Sequence, residues 1–99
     1  MIKFALTVRV PKSAIIVAAV GNAAAGLALP GDVYVTSGND GVHRDGSRHY
    51  TDEALDFRTR RLTVAQQEAW VVSIRRRLGP EYQAILETDH LHVEWDPRP

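Results

Sequence analysis

The 99-residue chain contains no cysteine, so disulfide bonds and thiolate metal sites are both excluded. Lys and Arg together number 12, as do Asp and Glu. The chain therefore has no net positive charge that would attract nucleic acid or an anionic membrane. No apolar run reaches the roughly 20 residues that a transmembrane helix needs. We therefore expect neither a nucleic-acid nor a membrane partner, and any metal would be bound by His, Asp or Glu.

The length and composition predict one domain over residues 1–99, with 44% apolar and 24% charged residues. The apolar segment 14–29 resembles the core of a signal peptide, but Asn22 interrupts it and the residues before it alternate like a strand. We favour a buried helix there. The protein is then expected to be a monomer made in the cytoplasm without a signal peptide.

Hydrophobic periodicity predicts a strand at 4–10, a helix capped by Ser13 and running to about Leu29, a strand at 33–36 and another at 54–58. A second helix is predicted from the Thr63 capping box with Gln66 to the stop at Gly79-Pro80, followed by a hairpin of strands 82–87 and 90–95. This order predicts an α+β domain, with a small mixed, mainly antiparallel sheet packed against two helices.

Both predicted helices carry an apolar stripe at helical spacing. The inward residues are expected to be Ile16, Val20, Ala23 and Leu27 in the first helix, and Val64, Trp70, Val71, Ile74 and Leu78 in the second.

Imidazole and carboxylate groups occur in two well-separated segments of the chain. His49 follows a long polar, glycine-rich loop, 37–48, and Asp56 lies seven positions later. In the last strand, alternation places His90, His92 and Glu94 on one face and Leu91, Val93 and Trp95 on the other. A zinc site with three protein ligands and a neighbouring general base needs groups of this kind, because the open fourth position holds a water whose pKa the metal lowers.

The spacing Ser47-x-His49, six residues, Asp56, and then Asp89-x-x-His92 resembles the zinc D-alanyl-D-alanine peptidases. That group includes bacterial D,D-carboxypeptidases, D-Ala-D-Ala dipeptidases and phage endolysins that cut L-alanyl-D-glutamate bonds, and the hedgehog signalling domain shares its fold. The resemblance covers about residues 36–95. It implies a hedgehog/D,D-peptidase-like fold and hydrolysis of peptidoglycan stem peptides in the cell wall by a phage or bacterial enzyme.

By the same resemblance, one Zn2+ would be bound by His49, Asp56 and His92, with Asp89 as the general base that takes a proton from water. Glu87 and His90 offer the same acid-x-x-His spacing two residues earlier, as a rival base and ligand. We prefer the later register, because the family's His-x-His versions place the metal on the second histidine.

The remaining polar residues near the predicted ligands are assigned to supporting or substrate-contacting roles: His90, Glu87, Glu94, Tyr50, Arg48, Arg44 and Ser47. Many family members carry an arginine where this chain has Asp40. Losing such an oxyanion donor costs roughly 100- to 1,000-fold in rate, unless Arg44 or Arg48 replaces it. The alternative hypothesis is therefore a non-catalytic zinc-binding or interaction domain with the same fold.

Overall fold

A computed structural model describes residues 11–37 and 53–97 of the chain. This part contains two helices and four strands: α1 (Lys12–Gly26), β1 (Val35–Ser37), β2 (Ala54–Arg58), α2 (Val64–Leu78), β3 (Tyr82–Leu86) and β4 (His90–Trp95). The strands form one sheet in the order β1-β2-β4-β3, and each neighbouring pair is antiparallel. The predicted α+β class with two helices is confirmed, and the predicted strand at 4–10 lies outside the described residues.

The start of α1 differs from the prediction that Ser13 caps it. The helix begins at Lys12, Pro11 occupies the N-cap with φ −58°, and no side chain caps the first turn. The Pro11 carbonyl accepts hydrogen bonds from the N–H groups of Ala14 and Ile15, at 3.1 and 3.3 Å. Pro11 itself keeps an extended ψ of 145°, as an N-cap residue does, so the helix begins with the residue that follows it.

The inward face of α1 is confirmed for three of its four predicted residues. Ile16, Val20 and Ala23 are fully buried, whereas Leu27 remains 40% exposed. The helix ends at Gly26, so Leu27 no longer follows the helical spacing that the prediction assumed.

Helix α2 begins as predicted. The Thr63 hydroxyl accepts a hydrogen bond from the Gln66 N–H at 3.1 Å, and the Gln66 side chain accepts one from the Thr63 N–H at 2.9 Å. The helix ends before Gly79, whose φ of 84° favours glycine. Val64 is 70% exposed although the stripe placed it inside. It is the first helical residue, and side chains lean toward the helix N-terminus, so this one projects past the end of the helix.

The two helices cover one face of the sheet. The side chains that the strands bury on that side are Leu55, Phe57, Ala84, Leu91 and Val93. Trp95, predicted to share this face, is only partly buried, and the Lys12 ammonium lies 4.5 Å from its ring centre. The opposite face is thereby left to the polar residues of β2 and β4.

Trp70 connects the two helices and the sheet. Its indole N–H donates a hydrogen bond to the Val20 carbonyl of α1 at 3.1 Å. Its ring meets Phe57 of β2 edge-on, with 6.4 Å between the ring centres. Because the side chain is 2% exposed, both contacts are shielded from water.

We expect Trp70→Phe to lower the free energy of unfolding by about 1–3 kcal/mol, because it removes a buried hydrogen bond to Val20 and leaves space where the larger indole was packed. Urea unfolding followed by circular dichroism measures the change. Trp95→Phe is the matched control, since in the described part of the chain the Trp95 indole N–H is buried without a hydrogen-bond partner. An equal loss in both variants would contradict a specific role for the Trp70 hydrogen bond.

Candidate functional site

Strands β2 and β4 are direct neighbours, and their register brings distant polar residues together. Asp56 lies directly opposite His92, and Arg58 lies directly opposite His90. Side chains opposed in this way in antiparallel strands are about 5 Å apart at Cβ. Residues separated by 36 positions in the sequence, Asp56 and His92, therefore share one patch of the polar face.

Asp56 and His92 are in direct contact within this patch. The Nδ1 of His92 lies 2.8 Å from Oδ1 of Asp56, and its Nε2 lies 3.3 Å from Oε1 of Glu94. The side chains of Asp56 and His92 are only 17% and 20% exposed. The imidazole is thus held between two carboxylates in a half-buried position, and with both its nitrogens protonated it donates to each.

These contacts raise the pKa of His92 above its ordinary value of 6.5. The hydrogen bond to Asp56 is the main cause, and the charges of Asp56 and Glu94 add to it, whereas burial acts in the opposite direction. Zinc needs the neutral imidazole, so metal binding at His92 must displace a proton and becomes weaker as the pH falls.

In metal-free protein the raised pKa of His92 makes stability depend on pH. The protonated imidazole binds its proton more tightly in the folded state, so its stabilisation is complete below the unfolded pKa of about 6.5 and is lost as the pH rises through the folded pKa. We expect the melting temperature of chelator-treated wild type to fall relative to that of His92→Gln between about pH 6 and pH 8. A constant difference between the two proteins over this range would contradict the His92–Asp56 contact.

His90 lies beside the same carboxylate. Its Nε2 is 3.9 Å from Oδ1 of Asp56, and its Nδ1 is 2.7 Å from Oδ1 of Asp89. The Asp89 side chain is 86% exposed at the β3–β4 turn, and the hydrogen bond from His90 lowers the pKa of its carboxyl group. Asp89 is therefore a carboxylate at neutral pH, able to accept a proton.

A cleft of about 300 Å3 opens beside these groups, lined by Thr36, Asp56, Arg58, Arg60, Asp89 and His90. The predicted base, Asp89, and one predicted ligand, Asp56, thus face the same space. Glu87, the base of the rival register, is exposed, and its N–H donates to the His90 carbonyl at 2.8 Å as part of the hairpin.

The chemistry of the two adjacent groups fits a zinc ion. A carboxylate oxygen and an imidazole nitrogen are ordinary zinc ligands, and Asp56 and His92 already lie within hydrogen-bond distance of each other. Over residues 11–37 and 53–97, no group of three His, Asp or Glu residues is arranged to hold a metal. The predicted third ligand, His49, lies outside the described residues, as do Tyr50, Arg48, Arg44 and Ser47.

Three of the residues that line the cleft were not predicted as site residues: Thr36, Arg58 and Arg60. A signal for Arg58 was present, because a residue two positions after Asp56 in a strand projects from the same face. Its guanidinium lies 4.8 Å from the ring centre of Tyr34. A smaller cavity of about 30 Å3 also touches Arg58, but it is enclosed mainly by apolar residues near the end of α1.

Within the described residues, neither helix has the length and apolar character needed to cross a membrane. Comparisons of the chain with protein-family models, with curated proteins and with solved structures found no match.

Proposed function

We propose that this chain is a zinc-dependent peptidase that hydrolyses peptide bonds of peptidoglycan stem peptides, as a D,D-carboxypeptidase or an endolysin-type endopeptidase. The observation that carries the proposal is the contact between Asp56 and His92. The motif assigns both residues to the metal, and they meet at 2.8 Å across neighbouring strands. If Asp56 and His92 lay on unrelated surfaces, the zinc site would have no structural basis.

The proposed ion is held by Asp56 and His92 from the described strands and by His49. Bound there, Zn2+ supplies Lewis acidity toward a water molecule and the scissile carbonyl. Glu94 supports the site by accepting a hydrogen bond from the far nitrogen of the His92 ring, which fixes the ring orientation.

Asp89 is the proposed general base. It accepts a proton as water adds to the scissile carbonyl, and it returns that proton to the amine nitrogen as the C–N bond breaks. A carboxylate with a lowered pKa is a weak base, but a substrate seated in the cleft would exclude water from Asp89 and shift its pKa upward. His90 holds Asp89 at 2.7 Å and acts as a positioning residue.

The rival register keeps a structural basis, because His90 also approaches Asp56, at 3.9 Å. Two observations favour the register with Asp89 and His92. His92 makes the shorter contact with Asp56, and Asp89 lines the cleft that Asp56 lines.

The proposal is tested by incubating the zinc-loaded protein with purified peptidoglycan and identifying the released fragments by mass spectrometry. Zinc content is measured on the same preparation. We expect one zinc per chain and fragments that differ from the substrate by cleavage of one stem peptide bond.

Full zinc occupancy without any cleaved stem bond would overturn the enzymatic proposal and support the non-catalytic zinc-binding domain. The arginine missing at position 40 is the observation that favours this alternative. Absence of stoichiometric zinc would contradict both functions.

A further inference from the structure

Arg58 projects into the cleft next to the proposed zinc ligands. It follows Asp56 by two positions in β2, so both side chains leave the strand on the same face, and it lies opposite His90 of β4. Its neighbour in the cleft, Arg60, is exposed just beyond the end of β2. Arg58 and Arg60 therefore both line a cleft that is also lined by a proposed carboxylate ligand, Asp56.

The Arg58 guanidinium is held in place by Tyr34. The cation lies 4.8 Å from the ring centre, and the backbone N–H of Arg58 donates to the Tyr34 carbonyl at 3.0 Å. A guanidinium stacked on an aromatic face keeps its N–H groups free at its edges. The contact thus restricts the side chain without using its hydrogen-bond donors.

The carboxylates of the cleft have histidine partners, whereas its guanidinium groups have no carboxylate partner among the described residues. Asp56 contacts His92, and Asp89 contacts His90. Neither Arg58 nor Arg60 forms an ion pair with any residue in the ranges 11–37 and 53–97. The described part of the cleft therefore offers guanidinium donors that are available to an anion from outside the chain, and Thr36, which carries a hydroxyl group, lines the same cleft.

We propose that Arg58, assisted by Arg60 and Thr36, binds a carboxylate group of the substrate beside the proposed zinc ligands. A guanidinium matches a carboxylate with two parallel hydrogen bonds, which fixes the orientation of the ligand as well as its charge. A cleft of about 300 Å3 accommodates a group of dipeptide size. The assignment of this carboxylate to a stem peptide rests on the proposed function, whereas the anion site itself rests on Arg58.

Peptides can bring such a carboxylate from the chain terminus or from an acidic side chain. N-acetyl-D-alanyl-D-alanine carries only the terminal group, and N-acetyl-L-alanyl-D-isoglutamine carries only the side-chain group. Each is titrated by calorimetry into the full chain, beside the corresponding amide in which that carboxylate is neutral. We expect one of the two acids to bind about 10- to 100-fold more tightly than its amide. The acid with the larger preference identifies the source of the carboxylate.

Arg58→Gln should remove most of this preference, and Arg60→Gln should reduce it, while zinc content stays at the wild-type value. Arg76→Gln, an exposed arginine of α2 outside the cleft, is the matched control and should retain the full preference. Thermal unfolding checks that each variant is folded. If Arg58→Gln does not fold, the preference is tested with Arg60→Gln instead. Equal binding of acids and amides by the wild type, or an unchanged preference in the folded arginine variants, would overturn the proposal.

Different results would contradict the proposed anion site and the proposed peptidase. A preference for the acid that depends on Arg58, found in a protein that cleaves no stem peptide, supports the anion site and contradicts the proposed enzyme. Cleavage of stem peptides without any preference for acid over amide contradicts the anion site and supports the enzyme.

Discussion

Replacing Asp89 with asparagine is expected to lower turnover of a stem peptide about 100- to 10,000-fold while zinc stays bound. The amide keeps the size of the side chain and can still accept a hydrogen bond from His90, but it cannot take a proton from water. Because Asp89 is 86% exposed at a turn, the substitution should leave the fold intact. Rates are measured by chromatography of the released peptide, with zinc content and melting temperature determined on the same sample.

Glu87→Gln is the matched control for this substitution. It neutralises a carboxylate of the same hairpin, two residues earlier, and should leave turnover within about twofold because surface changes of this kind have small effects. A fully active Asp89→Asn together with an inactive Glu87→Gln would show that the base belongs to the earlier register.

Replacing His92 with alanine is expected to abolish zinc binding. The imidazole is one of the two proposed ligands that the structure describes, and its removal leaves Asp56 without its partner at 2.8 Å. Zinc per chain is measured after dialysis, and affinity is measured by competition with a chromophoric chelator. Melting curves recorded in excess chelator separate loss of a ligand from loss of the fold.

Two further variants serve as comparisons for His92→Ala. Glu94→Gln keeps both proposed ligands and removes a charge that orients the ring, so we expect zinc affinity to fall about 10- to 100-fold. His90→Ala should retain stoichiometric zinc. If His90→Ala lost the metal and His92→Ala kept it, the ligand assignment on β4 would be wrong.

Strand alternation was sufficient to predict which residues of β4 share its polar face. A period of two separates His90 and His92 from Leu91 and Val93, and the structure confirms this division, because both apolar residues are fully buried. The limits of β2 and β4 also agree with the prediction. Local signals worked here because β4 buries Leu91 and Val93 on one face and keeps polar residues on the other, which leaves its register little freedom.

The sequence could not predict contacts that depend on tertiary packing. The sequence around Leu27 and Val64 does not show where each helix ends relative to the sheet. Both side chains lie at helix ends and are exposed. The stacking of Arg58 on Tyr34 depends on the pairing of β1 with β2. The alternation of β2 is consistent with Arg58 on the polar face, but only the three-dimensional arrangement shows that it lines the same cleft as Asp89.

A crystal structure of the zinc-loaded protein, with anomalous scattering recorded at the zinc edge, tests the proposed metal site most directly. We expect a single strong peak bonded to the carboxylate of Asp56 and the imidazole of His92, with His49 as the third protein ligand. A peak bonded to other residues, or side chains of these three that lie too far apart to share one ion, would contradict it.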